Sequence, residues 1–199
     1  MRASQRGVGA LAHRALVAIP VVIAIAVGCS SASDDDEDAG AGTTVAEDVA
    51  VEDVVVEADD FKALADMTPV REFFVDNVAG DLETTLAVAN DPEGGVYPVG
   101  TVIQLIPQEA MVKRAPGFDP DSNDWEFFTL DVTPAGTTIL TRGGSEVVNR
   151  FSGSSCSSCH GAAEPEFDFV CEDDHGCEPL PSGDDVITAI QQSDPRPTG

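Results

Sequence analysis

Apolar and polar positions divide the chain into three stretches. Residues 15–28 are apolar throughout, residues 30–60 are dominated by acids and small residues, and residues 61–199 alternate short apolar runs with turn residues. In the last stretch Phe61, Leu64 and Met67 recur at i, i+3, i+6, which predicts a short helix ending before Pro69. Phe73-Phe74-Val75 and Leu86-Ala87-Val88 read as strand or short-helix segments. A turn at Val96–Gly100 leads into Thr101–Ile106, a β-branched run, and Ala110–Arg114 is its expected partner strand. Turn residues fill Pro116–Asp124. Trp125–Val132 is the strongest strand signal, and Thr137–Thr141 follows across Pro134-Ala135-Gly136 as a hairpin. Ser182 and Asp185 have capping-box spacing before Val186, Ile187 and Ile190, which would share one face of a short helix stopped by Pro195 and Pro197. The pattern predicts an α+β fold, an antiparallel β-sheet with short helices at its ends, and no repeat period.

The first stretch reads as an address. Arg2, Arg6 and Arg14 precede the apolar core with no acid among them, the layout of an export signal. The core of about 14 residues is short for a bilayer span of about 20. Ala26-Val27-Gly28-Cys29 resembles a bacterial lipobox, departing from it at Ala26, where Leu is usual. The expectation is a signal at residues 1–28, a lipidated Cys29, and a membrane contact made through lipid alone. Neutral Ser30 fits transfer to an outer membrane, so the expected place is the cell envelope, periplasm-facing or on the outer membrane. The rival is a plain secretory signal with an incidental cysteine.

Charge sharpens the second stretch. Residues 34–60 carry 12 acids and no base, so residues 29–60 are expected to be a disordered tether ahead of a domain at 61–199. The whole chain has 10 Lys and Arg against 36 Asp and Glu, a formal charge of −26. Clustered positive charge, which phosphate backbones require, is missing, so nucleic acid is excluded as a partner class.

The candidate chemistry lies in Cys156-Ser157-Ser158-Cys159-His160. C-x-x-C-H is the attachment sequence for c-type haem: two cysteines on one helical turn reach both vinyl groups, and the following histidine becomes the proximal iron ligand. Two other readings stand beside it. Cys156 and Cys159 could form a redox pair, although Gly153-Ser154-Ser155 before it and Gly161-Ala162-Ala163 after it make a poor strand-to-helix setting. Alternatively, Cys156, Cys159, Cys171 and Cys177 could hold zinc. On the haem reading, covalently bound haem c takes Cys156 and Cys159, and Cys171 pairs with Cys177 in a disulfide closing a small loop.

The sixth iron position would decide function. His175, Met67, Met111 and Lys113 are ligands by type, each with a blander role in a turn, in the core or on a strand face. Trp125, Phe127 and Phe128 could wall a haem pocket or fill the sheet core. Glu109, Glu126 and Asp131 are candidate distal acids or bases by type.

Residues 95–170 resemble the cytochrome P-460 family and its sibling, cytochrome c′-beta. The likeness rests on Tyr97-Pro98-x-Gly100-Thr101-Val102, on Gly117-Phe118-Asp119-Pro120 leading to Asp124-Trp125-Glu126-Phe127-Phe128, and on the late haem sequence followed by Phe167-Asp168-Phe169-Val170. It implies an antiparallel sheet with an apolar distal pocket, a five-coordinate haem bound through His160, and often a homodimer. Hydroxylamine-oxidising members carry a cross-linking lysine where this chain has Leu105, and no lysine lies between Lys62 and Lys113. The resemblance therefore favours the c′-beta behaviour, with Leu105 on the distal side.

The expected function is an exported c-type cytochrome with one haem, passing electrons to a redox partner protein or binding a diatomic gas such as nitric oxide. A haem enzyme oxidising hydroxylamine or a related nitrogen compound is the alternative. A non-haem, disulfide-bonded envelope lipoprotein is the second.

Overall fold

The computed structural model describes residues 51–180 and 182–199. The export signal, Cys29 and residues 30–50 of the expected tether lie outside the described residues. A six-stranded, wholly antiparallel sheet runs in sequence order: β1 (Thr68–Val70), β2 (Phe73–Asn77), β3 (Thr101–Gln104), β4 (Glu109–Lys113), β5 (Trp125–Thr133) and β6 (Gly136–Gly143). Helix α1 (Leu82–Ala89) links β2 to β3, α2 (Cys156–His160) is a single turn, and α3 (Asp184–Gln192) lies near the C-terminus. The fold class is thus α+β, as the pattern of apolar runs predicts.

Strand alternation sorts the side chains into two cores. On one face lie Phe73, Val75, Ile103, Met111, Trp125 and Phe127, covered by α1 and by the chain around Val147 and Val170. On the other lie Val102, Ala110, Val112, Phe128 and Leu130, covered by Val56, Phe61, Leu64 and Met67. The first six residues of β5 are buried because both faces are covered. A bulge shifts the β5–β6 register after Thr129, where Thr129 pairs with Thr141 and Leu130 with Ile139. Leu140 is the extra residue and turns to solvent, 54 % exposed.

Three expectations need correction. The Phe61–Met67 helix is only a 3₁₀ turn at Leu64–Asp66, and Pro69 sits inside β1. An edge strand tolerates the missing N–H of proline, so the chain extends there instead of coiling. The Ser182 cap does not form; Gly183 occupies the N-cap of α3 without a side-chain bond. The domain also starts earlier than residue 61. Asp53 accepts Arg114 Nε at 3.0 Å, Arg114 Nη2 at 2.6 Å and the Ala115 amide at 2.9 Å, and Val56 is 1 % exposed. The carbonyl of Val56 receives Arg142 Nη1 at 2.8 Å. Counting acids alone misplaces residues 51–60, because Asp53 and the Val56 carbonyl find their partners in Arg114 and Arg142, 61 and 86 residues further along the chain.

Candidate functional site

The turn carrying the two cysteines is pinned to the chain that leaves β6. The Cys156 amide donates to the Val147 carbonyl at 2.9 Å, Val148 bridges Ser155, and the hydroxyls of Ser155 and Ser157 donate to the Ser145 carbonyl. Asn149 turns the intervening loop by accepting the amides of Phe151 and Ser152. These bonds leave Cys156 partly buried against the first core and Cys159 exposed, both as free thiols. Burial, and behind it the Glu109 carboxylate, pushes the Cys156 thiol up to about 11. A thiol so raised stays protonated at neutral pH, which suits a redox pair poorly. The other two cysteines, Cys171 and Cys177, are joined with S–S 2.03 Å. That bond takes two of the four sulfurs out of any four-cysteine zinc site.

His160 closes the turn and points inward. Its ring lies 5.3 Å from that of Phe127, and Nδ1 lies 2.9 Å from the Phe169 carbonyl. A carbonyl only accepts, so Nδ1 carries the proton and donates. Burial holds the imidazole below its usual pKa, against the pull of that bond. The neutral ring therefore keeps a free electron pair on Nε2. This is how a protein prepares a metal-binding histidine: the far nitrogen is tied to a backbone carbonyl and the near one is left as ligand. Two free thiols three positions apart with such a histidine beside them suit a covalently held haem. Among the described residues no three His, Cys, Asp or Glu side chains cluster to hold a bare metal ion.

The residue before Phe169 is itself held. Asp168, 1 % exposed, accepts Lys113 Nζ at 2.7 Å, Asn123 Nδ2 at 2.5 Å and the Tyr97 amide at 2.8 Å. Burial raises the Asp168 carboxyl while these donors and Lys113's charge draw it back. With three donors converging, a proton on the acid would have no acceptor, so the site accommodates the carboxylate. The Asp168 carbonyl receives Trp125 Nε1 at 2.7 Å.

The candidates named from the sequence separate in the fold. Leu105, Met111, Trp125, Phe127 and Cys156 share the first core. Phe128 does not: it belongs to the opposite face, 4.8 Å from Phe61 and beneath Arg142, because neighbours on a strand point opposite ways. It cannot wall the same pocket as Phe127. Met67 is also on that far face. Lys113 is spent on Asp168 and on the Asn123 carbonyl at 2.8 Å. His175 stacks on Phe167 at 3.7 Å with Nδ1 2.7 Å from the Val170 carbonyl, and it borders two clefts beside Arg71 that His160 does not line. Only Met111, among the four ligand types, lies in the core that His160 faces.

The acids separate in the same way. Glu126 lies buried between Arg114 and Arg142 on the far side, and Asp131 is exposed. Glu109 stays near the site. Burial raises its carboxyl, Oε2 accepts Asn149 Nδ2 at 2.7 Å, and Oε1 is buried with no partner. Sequence reasoning missed Phe169, Asp168, Asn123 and Asn149 as site residues. A backbone carbonyl leaves no residue-type signal, although Phe167-Asp168-Phe169-Val170 stands out as a motif. Compared with protein-family models, with curated proteins and with solved structures, the chain matches none.

Proposed function

We propose that this chain is an exported c-type cytochrome carrying one haem on Cys156, Cys159 and His160. The observation that carries the reading is the pairing of His160 Nδ1–H with the Phe169 carbonyl, beside two free thiols at attachment spacing. Each thiol would add across one vinyl group, sulfur bonding the carbon next to the ring and the hydrogen going to the terminal carbon, so nothing is oxidised. Bound in this way, the haem supplies an iron that exchanges one electron or takes a diatomic ligand. His160 would orient and hold it through Nε2, and Phe127 and Met111 would keep the neighbouring face dry. The antiparallel meander followed by a late C-x-x-C-H supports a cytochrome P-460-like fold of the c′-beta kind, with Leu105 in place of the cross-linking lysine. Lipid on Cys29 would tether the protein in the envelope, and its acidity favours a basic redox partner.

Haem staining of a denaturing gel tests the reading. The wild type should stain and Cys159→Ala should not; an unstained wild type, matured in a host with haem-attachment machinery, would leave a disulfide-bonded lipoprotein. Ferrous spectra with and without nitric oxide then separate gas binding from electron transfer, because a carrier with both axial positions filled does not respond. The partnerless Oε1 of Glu109 favours a second reading, oxidation of hydroxylamine or a related nitrogen compound with Glu109 taking the proton. Turnover of hydroxylamine with an artificial electron acceptor, lost in Glu109→Gln, is its test.

A further inference from the structure

The carbonyl that receives His160 belongs to the second of two consecutive residues with positive φ, 49° at Asp168 and 65° at Phe169. Side-chain-bearing residues rarely take that conformation, and a pair of them persists only where the surroundings impose it. The surroundings converge from four places. Tyr97 precedes β3, Lys113 ends β4, Asn123 lies in the loop that follows, and Trp125 opens β5; all four donate to Asp168. Lys113 is 6 % exposed and lies 5.2 Å over the Trp125 ring, so the ion pair is shut off from water. Burying two charges is a poor way to gain stability, since apolar side chains of the same volume serve as well. A buried ion pair does give direction, and here it fixes the residue whose backbone leads into the Phe169 carbonyl.

We propose that Lys113, Asp168 and Trp125 are positioning residues for the proximal histidine: they lock the 168–169 backbone so that the Phe169 carbonyl faces His160 Nδ1, and thereby set how strongly Nε2 donates to a haem iron. The proposal rests on the haem reading above and adds a control on it. An imidazole whose N–H is held by an acceptor is the better electron donor, which strengthens the iron–histidine bond and favours the ferric state. Loosening the lock should weaken that bond and raise the reduction potential without detaching the haem, because the thioethers lie elsewhere.

Two variants separate this role from simple packing. Trp125→Phe removes the N–H donor and leaves a smaller aromatic ring in a fully buried place. The double variant Lys113→Met with Asp168→Asn removes the ion pair and leaves no unpaired charge. The measurements are haem per chain by the alkaline pyridine spectrum, the iron–histidine stretching band of the ferrous protein by resonance Raman, and the reduction potential. The expected result is one haem per chain throughout, with the band at lower frequency and the potential higher in both variants, more so in the double. A full haem complement with band and potential unchanged overturns the positioning role and leaves the haem reading intact. Should the double variant fail to fold, Trp125→Phe decides by the same two readings. A wild type without haem overturns both proposals, and the pyridine spectrum tells that outcome from the other.

Discussion

At the scale of single residues, adjacent positions on β5 have unrelated tasks. Phe127 faces His160 and Phe128 faces Phe61, so alternation divides an aromatic pair that looks like one cluster in the sequence. Phe127→Leu and Phe128→Leu should each destabilise by on the order of 1–3 kcal/mol in denaturant titrations. Only Phe127→Leu should also move the haem absorption bands; equal spectral shifts in the two would contradict the division. Glu109 supplies a pH test. Its carboxyl is raised by burial, so the unfolded chain gives up this proton first and folding stability falls as pH climbs from the ordinary glutamate range through the raised one. Glu109→Gln keeps an acceptor for Asn149 and carries no charge. It should melt at a higher temperature than the wild type at neutral pH, with the gap closing below about pH 4, where wild-type Glu109 is protonated in both states. A gap that widened in acid would reverse the sign and refute the argument.

At the scale of elements, periodic apolar residues were legible and long-range polar partners were not. Thr101–Ile106, Ala110–Arg114 and Trp125–Val132 fall on β3, β4 and β5 because β-branched and aromatic residues on a pleated, doubly covered sheet give a dense signal. The strap at residues 53–57 was illegible: its anchors are Asp53 to Arg114 and the Val56 carbonyl to Arg142, contacts that no local pattern encodes. The site divides along the same line. Cys156, Cys159 and His160 announce themselves by spacing, whereas the acceptor for His160 is a backbone oxygen whose orientation depends on Asp168, 55 residues from its lysine. Removing residues 30–46 should leave the melting temperature unchanged. Extending the deletion through residue 57 should lower stability by several kcal/mol, because Val56 leaves its cavity and Arg114 loses a carboxylate. Thermal melts of the two deletions check this; equal melting points would return residues 51–57 to the role of a tether.

At the scale of the whole molecule, charge dominates. A formal charge of −26 on 199 residues creates a field that attracts basic partners and repels acidic ones. Electron exchange with a basic one-electron carrier, followed by stopped flow, should slow by roughly tenfold or more between low and high salt, as electrostatic steering is screened. A rate indifferent to salt would mean that docking ignores the acidic surface. Lipid anchoring would hold such a field close to one membrane face, where a soluble basic carrier could reach it.

Every functional statement depends on porphyrin being joined to Cys156 and Cys159. Intact mass spectrometry of the mature protein, made in a host with haem-attachment machinery, tests that link most directly. The expected mass is that of the processed chain plus one haem, with the haem lost in a Cys156→Ala, Cys159→Ala double variant. A mature chain whose mass leaves no room for a porphyrin would contradict that link.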